Sequence, residues 1–181
     1  MESIHYLLLL DSSESMKPFA GDLKKHLISH FKKIKKEPTA QLEDSLHLGF
    51  FNTQIYPISE LKKMKSISSA LQQIEFQGHT ALYDAIGQGI NYLCNLKRPG
   101  QLLLILVSDG YENVSRIYSN QEINHLLAST SVSAYLIGAG WNLDCIIEKY
   151  PIYEMISHRI HPKQLKEIVT IAEEIYKNLR I

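Results

Sequence analysis

With 181 residues, of which 45% are hydrophobic and 21% charged, the chain has the size and composition of one folded domain around a single sizeable core. Lys and Arg balance Asp and Glu at 19 each. That balance excludes bulk electrostatic attraction to nucleic acid or an anionic membrane.

No apolar stretch approaches the ~20 residues of a membrane span. The opening segment MESIHYLLLLDSSES has a short apolar core, an acid among its first residues and no small-residue cleavage site, unlike a signal peptide. The expectation is a cytoplasmic protein. Cys94 and Cys145 each lie in an apolar, helix-like stretch without a zinc-type partner pattern, and read as buried reduced thiols.

In chain order, Ile4–Leu10 is the first apolar run and reads as a strand buried on both faces, as central parallel strands are. It ends abruptly in the polar run Asp11-Ser12-Ser13-Glu14-Ser15. A helix follows from Phe19 to Ile34, with Leu23, Leu27, Ile28, Phe31 and Ile34 on one face. Its lysines (Lys24, Lys25, Lys32 and Lys33), with Lys35 and Lys36 beyond it and Lys62, Lys63 and Lys65 later, read as solvated surface.

Ser45–Phe51 and Gln54–Ile58 read as an antiparallel hairpin turning at Asn52-Thr53, with Pro57 suiting an edge strand. Leu82–Leu96 is helical, with Gly89 on its apolar face where close packing suits it, and Gly78-His79-Thr80 lies just ahead of it. A second buried strand, Leu102–Val107, ends in Ser108-Asp109-Gly110, with Tyr111, Glu112 and Asn113 beyond. Helix Gln121–Ser129, strand Val132–Ile137, a weaker strand near Tyr153–Ser157 and helix Leu165–Leu179 complete the chain.

Strands alternating with helices make an α/β, doubly wound, mostly parallel sheet with helices on both faces. Such folds bind ligands at the carboxyl ends of their strands, where the strand order reverses. The helix from Leu82 leads to the start of the strand at Leu102, so its own beginning lies at that carboxyl edge. Asp11, Ser13, Ser15, Thr80 and Asp109 therefore converge there from separate loops. Two carboxylates and three hydroxyls, without imidazole or thiolate, suit one hard divalent cation, Mg²⁺ above Mn²⁺ or Ca²⁺, and not zinc or copper. Each element alone is weak: Thr80 could be a helix cap and Ser-Asp-Gly is a common turn. Their order on switch-point loops carries the inference.

On these residues the sequence resembles the von Willebrand factor A family over nearly its whole length. The family's metal-ion-dependent adhesion site, Asp-x-Ser-x-Ser with a later Thr and a later Asp, falls on Asp11, Ser13, Ser15, Thr80 and Asp109. The segments GHTALYDAI and LVSDGYEN are similar to those of bacterial members. The resemblance implies a six-stranded sheet of order 3-2-1-4-5-6 with an antiparallel third strand at one edge. It also implies an open coordination position for a partner's Asp or Glu. An AAA+ ATPase or stress-response complex is a partner class implied in the same way. Glu14 departs from the glycine common between the two serines, and is expected to project into solvent. Glu14, His79, Tyr111, Glu112 and Asn113 are the expected partner-binding rim.

The expected function is a non-enzymatic, cation-dependent protein-binding module. The competing expectation is a phosphoester hydrolase in which the same cation activates water. Haloacid dehalogenase-like phosphatases need an Asp where Ser13 stands, and response-regulator receivers need an acidic pair after the first strand. Neither a P-loop nor a nucleophile elbow is present.

Overall fold

The computed structural model describes residues 2–34, 44–62, 64–109, 112–139, 156–160 and 165–179. Among these, β1 (Ile4–Asp11) leads through a short 3-10 helix (Glu14–Phe19) into α1 (Ala20–Ile34). Then come β2 (Ser45–Phe51), β3 (Ser59–Glu60), α2 (Met64–Gln72) and α3 (Leu82–Asn95). The remaining elements are β4 (Gln101–Ser108), α4 (Asn120–Ser129), β5 (Val132–Ala139), β6 (Ile156–Ile160) and α5 (Leu165–Asn178).

Five strands pair in parallel in the order β2-β1-β4-β5-β6, and the two-residue β3 adds antiparallel to the outer side of β2. The sheet is thus five full strands with a two-residue stub at its antiparallel edge. The expected hairpin arm at Gln54–Ile58 is overturned. That segment makes a single bridge, Phe51 to Ile55, and the antiparallel pairing falls later, His47 to Glu60 and Leu48 to Ser59. Pro57 explains the delay, since a proline has no N–H to give a ladder. The last strand lies slightly later than its weak signal, and 153–155 are outside the described residues.

The apolar runs are continuous because alternate side chains enter two different cores. Tyr6, Leu8, Leu10, Leu103, Ile105 and Val107 pack with α1, α2 and α5. Leu7, Leu9, Leu104 and Leu106 pack with α3 and α4 on the other face. Gly89 does serve close packing: a Cβ there would sit 2.9 Å from Leu9 Cδ1 and 3.2 Å from Leu104 Cδ1. Among the described residues no helix is long and apolar enough to cross a membrane.

One expectation fails on helix geometry. Leu93 faces the core, so the next residue around the helix, Cys94, is turned outward and is exposed. Cys145, Lys35, Lys36 and Lys63 lie outside the described residues.

Candidate metal centre

β1 and β4 are adjacent and parallel, with Leu10 opposite Val107. Asp11 and Ser108 are therefore the next pair, and both chains turn away at the same height. The strand order runs outward from this pair in opposite directions, which opens a crevice above their carboxyl ends.

Three loops meet there and are hydrogen-bonded to one another pairwise. The loop after β1 joins the loop before α3 through Gln77 N–H to Ser12 O (2.8 Å) and Glu14 N–H to Gly78 O (3.0 Å). The loop before α3 joins the loop after β4 through Asn113 N–H to Thr80 O (3.2 Å) and Thr80 N–H to Asn113 Oδ1 (3.0 Å). The Ser108 hydroxyl closes the triangle by donating to Asp11 Oδ2 at 2.6 Å. Gly78 is needed where it stands. Its φ is +75°, and a Cβ would lie 2.7 Å from Thr53 Oγ1, the atom that accepts the His79 N–H.

Asp11 is fully buried, and Thr80 and Asp109 nearly so. Asp11 Oδ1 accepts the Ser13 N–H at 2.8 Å, which folds the loop back over the strand end and brings the Ser13 and Ser15 hydroxyls within 3.1 Å of each other. Ser15 is exposed. Burial pushes the Asp11 carboxyl up to about 6, and the Asp109 charge pushes the same way, while Ser108 and Ser13 hold it down by hydrogen bonds. Asp11, Ser13, Ser15, Thr80 and Asp109 thus stand on three cross-linked loops at one edge of the sheet.

The donor set fits a divalent cation. Two carboxylates are crowded in a buried place, where a cation would offset the desolvation that raises Asp11. Oxygen is the only ligand type the five residues offer. Among the described residues no group of three or more His, Cys, Asp or Glu side chains is arranged for a metal. A site of two carboxylates and three hydroxyls contains only two residues of those types.

The expected rim divides into two kinds. Glu14 is exposed and ion-paired with Lys17 at 2.9 Å, which holds its carboxyl below the usual range, and His79 is exposed. Asn113 is exposed and braces Thr80. Glu112 turns inward instead. Its two oxygens accept the N–H groups of Tyr83, Val114 and Ser115 and the Ser115 hydroxyl. Tyr111 lies outside the described residues.

Sequence reasoning missed the partner of that brace, Asp84. Its carboxylate accepts the N–H groups of Arg116, Ile117 and Tyr118 at 2.9–3.0 Å. Asp84 and Glu112 together staple the loop after β4 to the first turn of α3. The available signal was an acid in a helix's first turn, which more often faces solvent near the positive end of the dipole.

No protein-family model matches the chain, and no curated protein matches it. Solved structures do. A D319A mutant of the PilB minor pilin from Streptococcus sanguinis superposes with a TM-score of 0.73 at 13% identity, over 99% of this chain and 63% of that one. A von Willebrand factor type A protein from Catenulispora acidiphila gives 0.67 at 14% identity, over 95% and 42%. An aerotolerance-related membrane protein from Bacteroides fragilis gives 0.65 at 15% identity, over 97% and 100%. The chain spans less than two thirds of the first two of these proteins. Identities this low speak for fold alone: the chain has a von Willebrand factor A-like fold.

Proposed function

We propose that the chain is a protein-binding module that holds one divalent cation and through it grips a carboxylate on a partner. Asp11, Ser13, Ser15, Thr80 and Asp109 would hold the cation, Mg²⁺ in the first place and Mn²⁺ or Ca²⁺ as alternatives. The bound cation would supply Lewis acidity for a partner's Asp or Glu. The observation that carries this reading is the closed triangle of hydrogen bonds among the three loops. It sets the five oxygen-bearing residues on a braced frame before any ligand arrives.

The chain's own residues have distinct parts in this. Ser108 orients Asp11, the Ser13 N–H fixes the other oxygen of the same carboxylate, and Asn113 anchors Thr80. Glu14, held by Lys17 in solvent, presents a charge near the rim without joining the ligand set. A cytoplasmic setting, and an AAA+ ATPase or stress-response complex as partner, extend the same proposal. They rest on the resemblance of the sequence segments alone. Nucleic acid and membrane are not the proposed partners, given the balanced charge.

The hydrolase alternative needs a general base beside the cation. Glu14 is a poor one, since its pairing with Lys17 stabilises the ionised, weakly basic form. Calorimetric titration with Mg²⁺, Mn²⁺ and Ca²⁺ tests the cation, and absence of binding at millimolar metal retires it. A generic phosphoester screen tests the alternative: turnover lost in Asp11→Ala would replace the binding reading with catalysis.

A further inference from the structure

Beside the candidate metal loop is a cleft of about 340 Å³ that none of the five oxygen-bearing residues lines. Ser12, Phe50, Tyr56, Ala70, Ile74 and Gln77 form its walls. We propose that this cleft receives an aromatic side chain of the partner segment whose carboxylate goes to the cation. The inference rests on the cation-grip reading for the identity of that segment.

Position is the first argument. Ser12 lines the cleft and stands between Asp11 and Ser13, so an occupant lies directly beside the carboxylate-binding edge. One extended segment advances ~3.3 Å per residue, so an aromatic within about four residues of the acid can reach the cleft while the acid stays at the edge.

Lining chemistry is the second. Phe50, Tyr56, Ile74 and Ala70 offer apolar and aromatic surface. Among the described lining residues the only charged one is Glu75, exposed at the mouth, so the cleft repels a carboxylate and leaves it to the cation. Tyr56 Oη accepts a hydrogen bond from Asn52 Nδ2 at 3.1 Å, which leaves its own proton to donate to a polar edge of the occupant or to the partner's backbone. A volume near the lower end of the ~300–1,000 Å³ of small-ligand sites suits one large side chain.

Rigidity is the third. Gln77 N–H is bonded to Ser12 O, Tyr56 N–H to Phe50 O at 2.9 Å, and Lys24 Nζ reaches Ile74 O at 3.3 Å while lying 5.6 Å from the Phe76 ring centroid. Both walls are tied to the body of the fold, so seating a side chain requires little ordering of the protein. An aromatic anchor in a preformed pocket next to a charged grip is the usual make-up of a binding hot spot.

The test uses the full chain and short synthetic peptides that each carry one Asp, with Trp, Leu or Ala placed up to about four residues away. Affinity is measured by fluorescence anisotropy in Mg²⁺ and in EDTA. The Trp peptides should bind at least ~10-fold more tightly than the Ala peptides in Mg²⁺. Ala70→Trp, which fills the cleft, should erase that preference while leaving weak Mg²⁺-dependent binding of all peptides. Equal binding of Trp and Ala peptides overturns the proposal, as does a preference that survives Ala70→Trp in a folded variant.

If no peptide responds to Mg²⁺, indole alone is titrated and followed by amide NMR. Shifts confined to Phe50, Ile74 and Gln77 and lost in Ala70→Trp support the aromatic cleft and sink the cation grip. No shifts overturn the cleft itself.

Discussion

The Ser108 hydroxyl donates to Asp11 Oδ2 across 2.6 Å, joining the ends of two neighbouring strands that are 97 residues apart in sequence. A neutral donor aimed at a buried carboxylate favours its ionised form, against the desolvation that raises it. Ser108→Ala removes that donor and leaves little room for water. The variant should lose about 1–3 kcal/mol of stability at neutral pH, read by urea denaturation. Its cation affinity should start to fall at a higher pH than that of the parent protein, because the Asp11 proton is held more tightly.

The pH dependence of the cation-free protein follows from Asp11. The unfolded carboxyl ionises near 3.8 and the folded one at about 6, so within that window the folded state keeps a proton that the unfolded state has released. Stability from this group is present below the window and lost as pH rises through it, by at most about 3 kcal/mol. A cation would offset the exposed cost above pH 6, whereas protons would compete with it below. Millimolar Mg²⁺ should therefore raise the melting temperature near neutral pH and have little effect at about pH 4. An equal Mg²⁺ effect at both pH values, or the same shift in Asp11→Ala, would falsify the assignment of Asp11 as a ligand.

The loop after β4 should depend on Asp84. Three backbone N–H groups converge on that one carboxylate, at residues 116–118, and hydrogen bonds to an ionised acceptor are among the stronger ones. Asp84→Ala should cost at least ~2 kcal/mol and speed amide exchange at 116–118 far more than in β1 or β4. Asp84→Asn keeps one acceptor oxygen and should fall between the two. Unchanged exchange at 116–118 in Asp84→Ala would show that the loop is held by other contacts.

Sequence patterning conveyed the main elements because each rests on a strong local signal. The runs Ile4–Leu10 and Leu102–Val107 could only be two-sided buried strands in a doubly wound chain, and the stripe from Leu165 could only be a helix covering them. The placement of Asp11 and Asp109 at the carboxyl edge of the sheet was legible for a related reason: a polar run after a buried strand marks a carboxyl end wherever the topology is parallel. Gln54–Ile58 was misread because a short run with Ile and Tyr after a tight turn at Asn52-Thr53 resembles the second arm of a hairpin, yet the ladder needs an N–H that proline lacks. Asp84 and Glu112 were opaque for a different reason. The bonds by which they brace the loop run to backbone N–H groups about thirty residues away, and a main-chain donor has no sequence signature. Cys94 failed on one step of helical phase, since it neighbours a buried leucine in sequence and faces outward in space.

A second pH response should come from a chain of buried side chains beneath the sheet edge. Pro99 O can only accept, so His5 Nε2 carries its proton and His5 Nδ1 accepts the Ser45 hydroxyl at 2.8 Å. Ser45 Oγ then accepts from His47 Nε2 at 2.8 Å, and His47 Nδ1 accepts from Tyr92 Oη at 2.8 Å. With His47 neutral every proton in this row has one place, and a second proton on its ring would take the Nδ1 position that accepts from Tyr92. Burial accordingly lowers His47 from 6.5 to about 4, against a smaller opposing pull from Glu60. Between those values the unfolded state binds a proton that the folded state refuses, so stability is full above pH 6.5 and drains away as pH falls toward 4. The slope has the opposite sign to that of Asp11 and overlaps its window, so the two must be separated by mutation. Adding Mg²⁺ near neutral pH does not touch the His47 contribution. In Asp11→Asn the acid-side loss of stability should steepen, because the opposing trend from Asp11 is gone. In His47→Gln, which retains a hydrogen-bonding side chain without the titration, the acid-side loss should flatten. Denaturant midpoints measured between about pH 4 and 7 for these two variants and the parent decide the matter. An acid-side slope unchanged by His47→Gln would place the titrating group elsewhere.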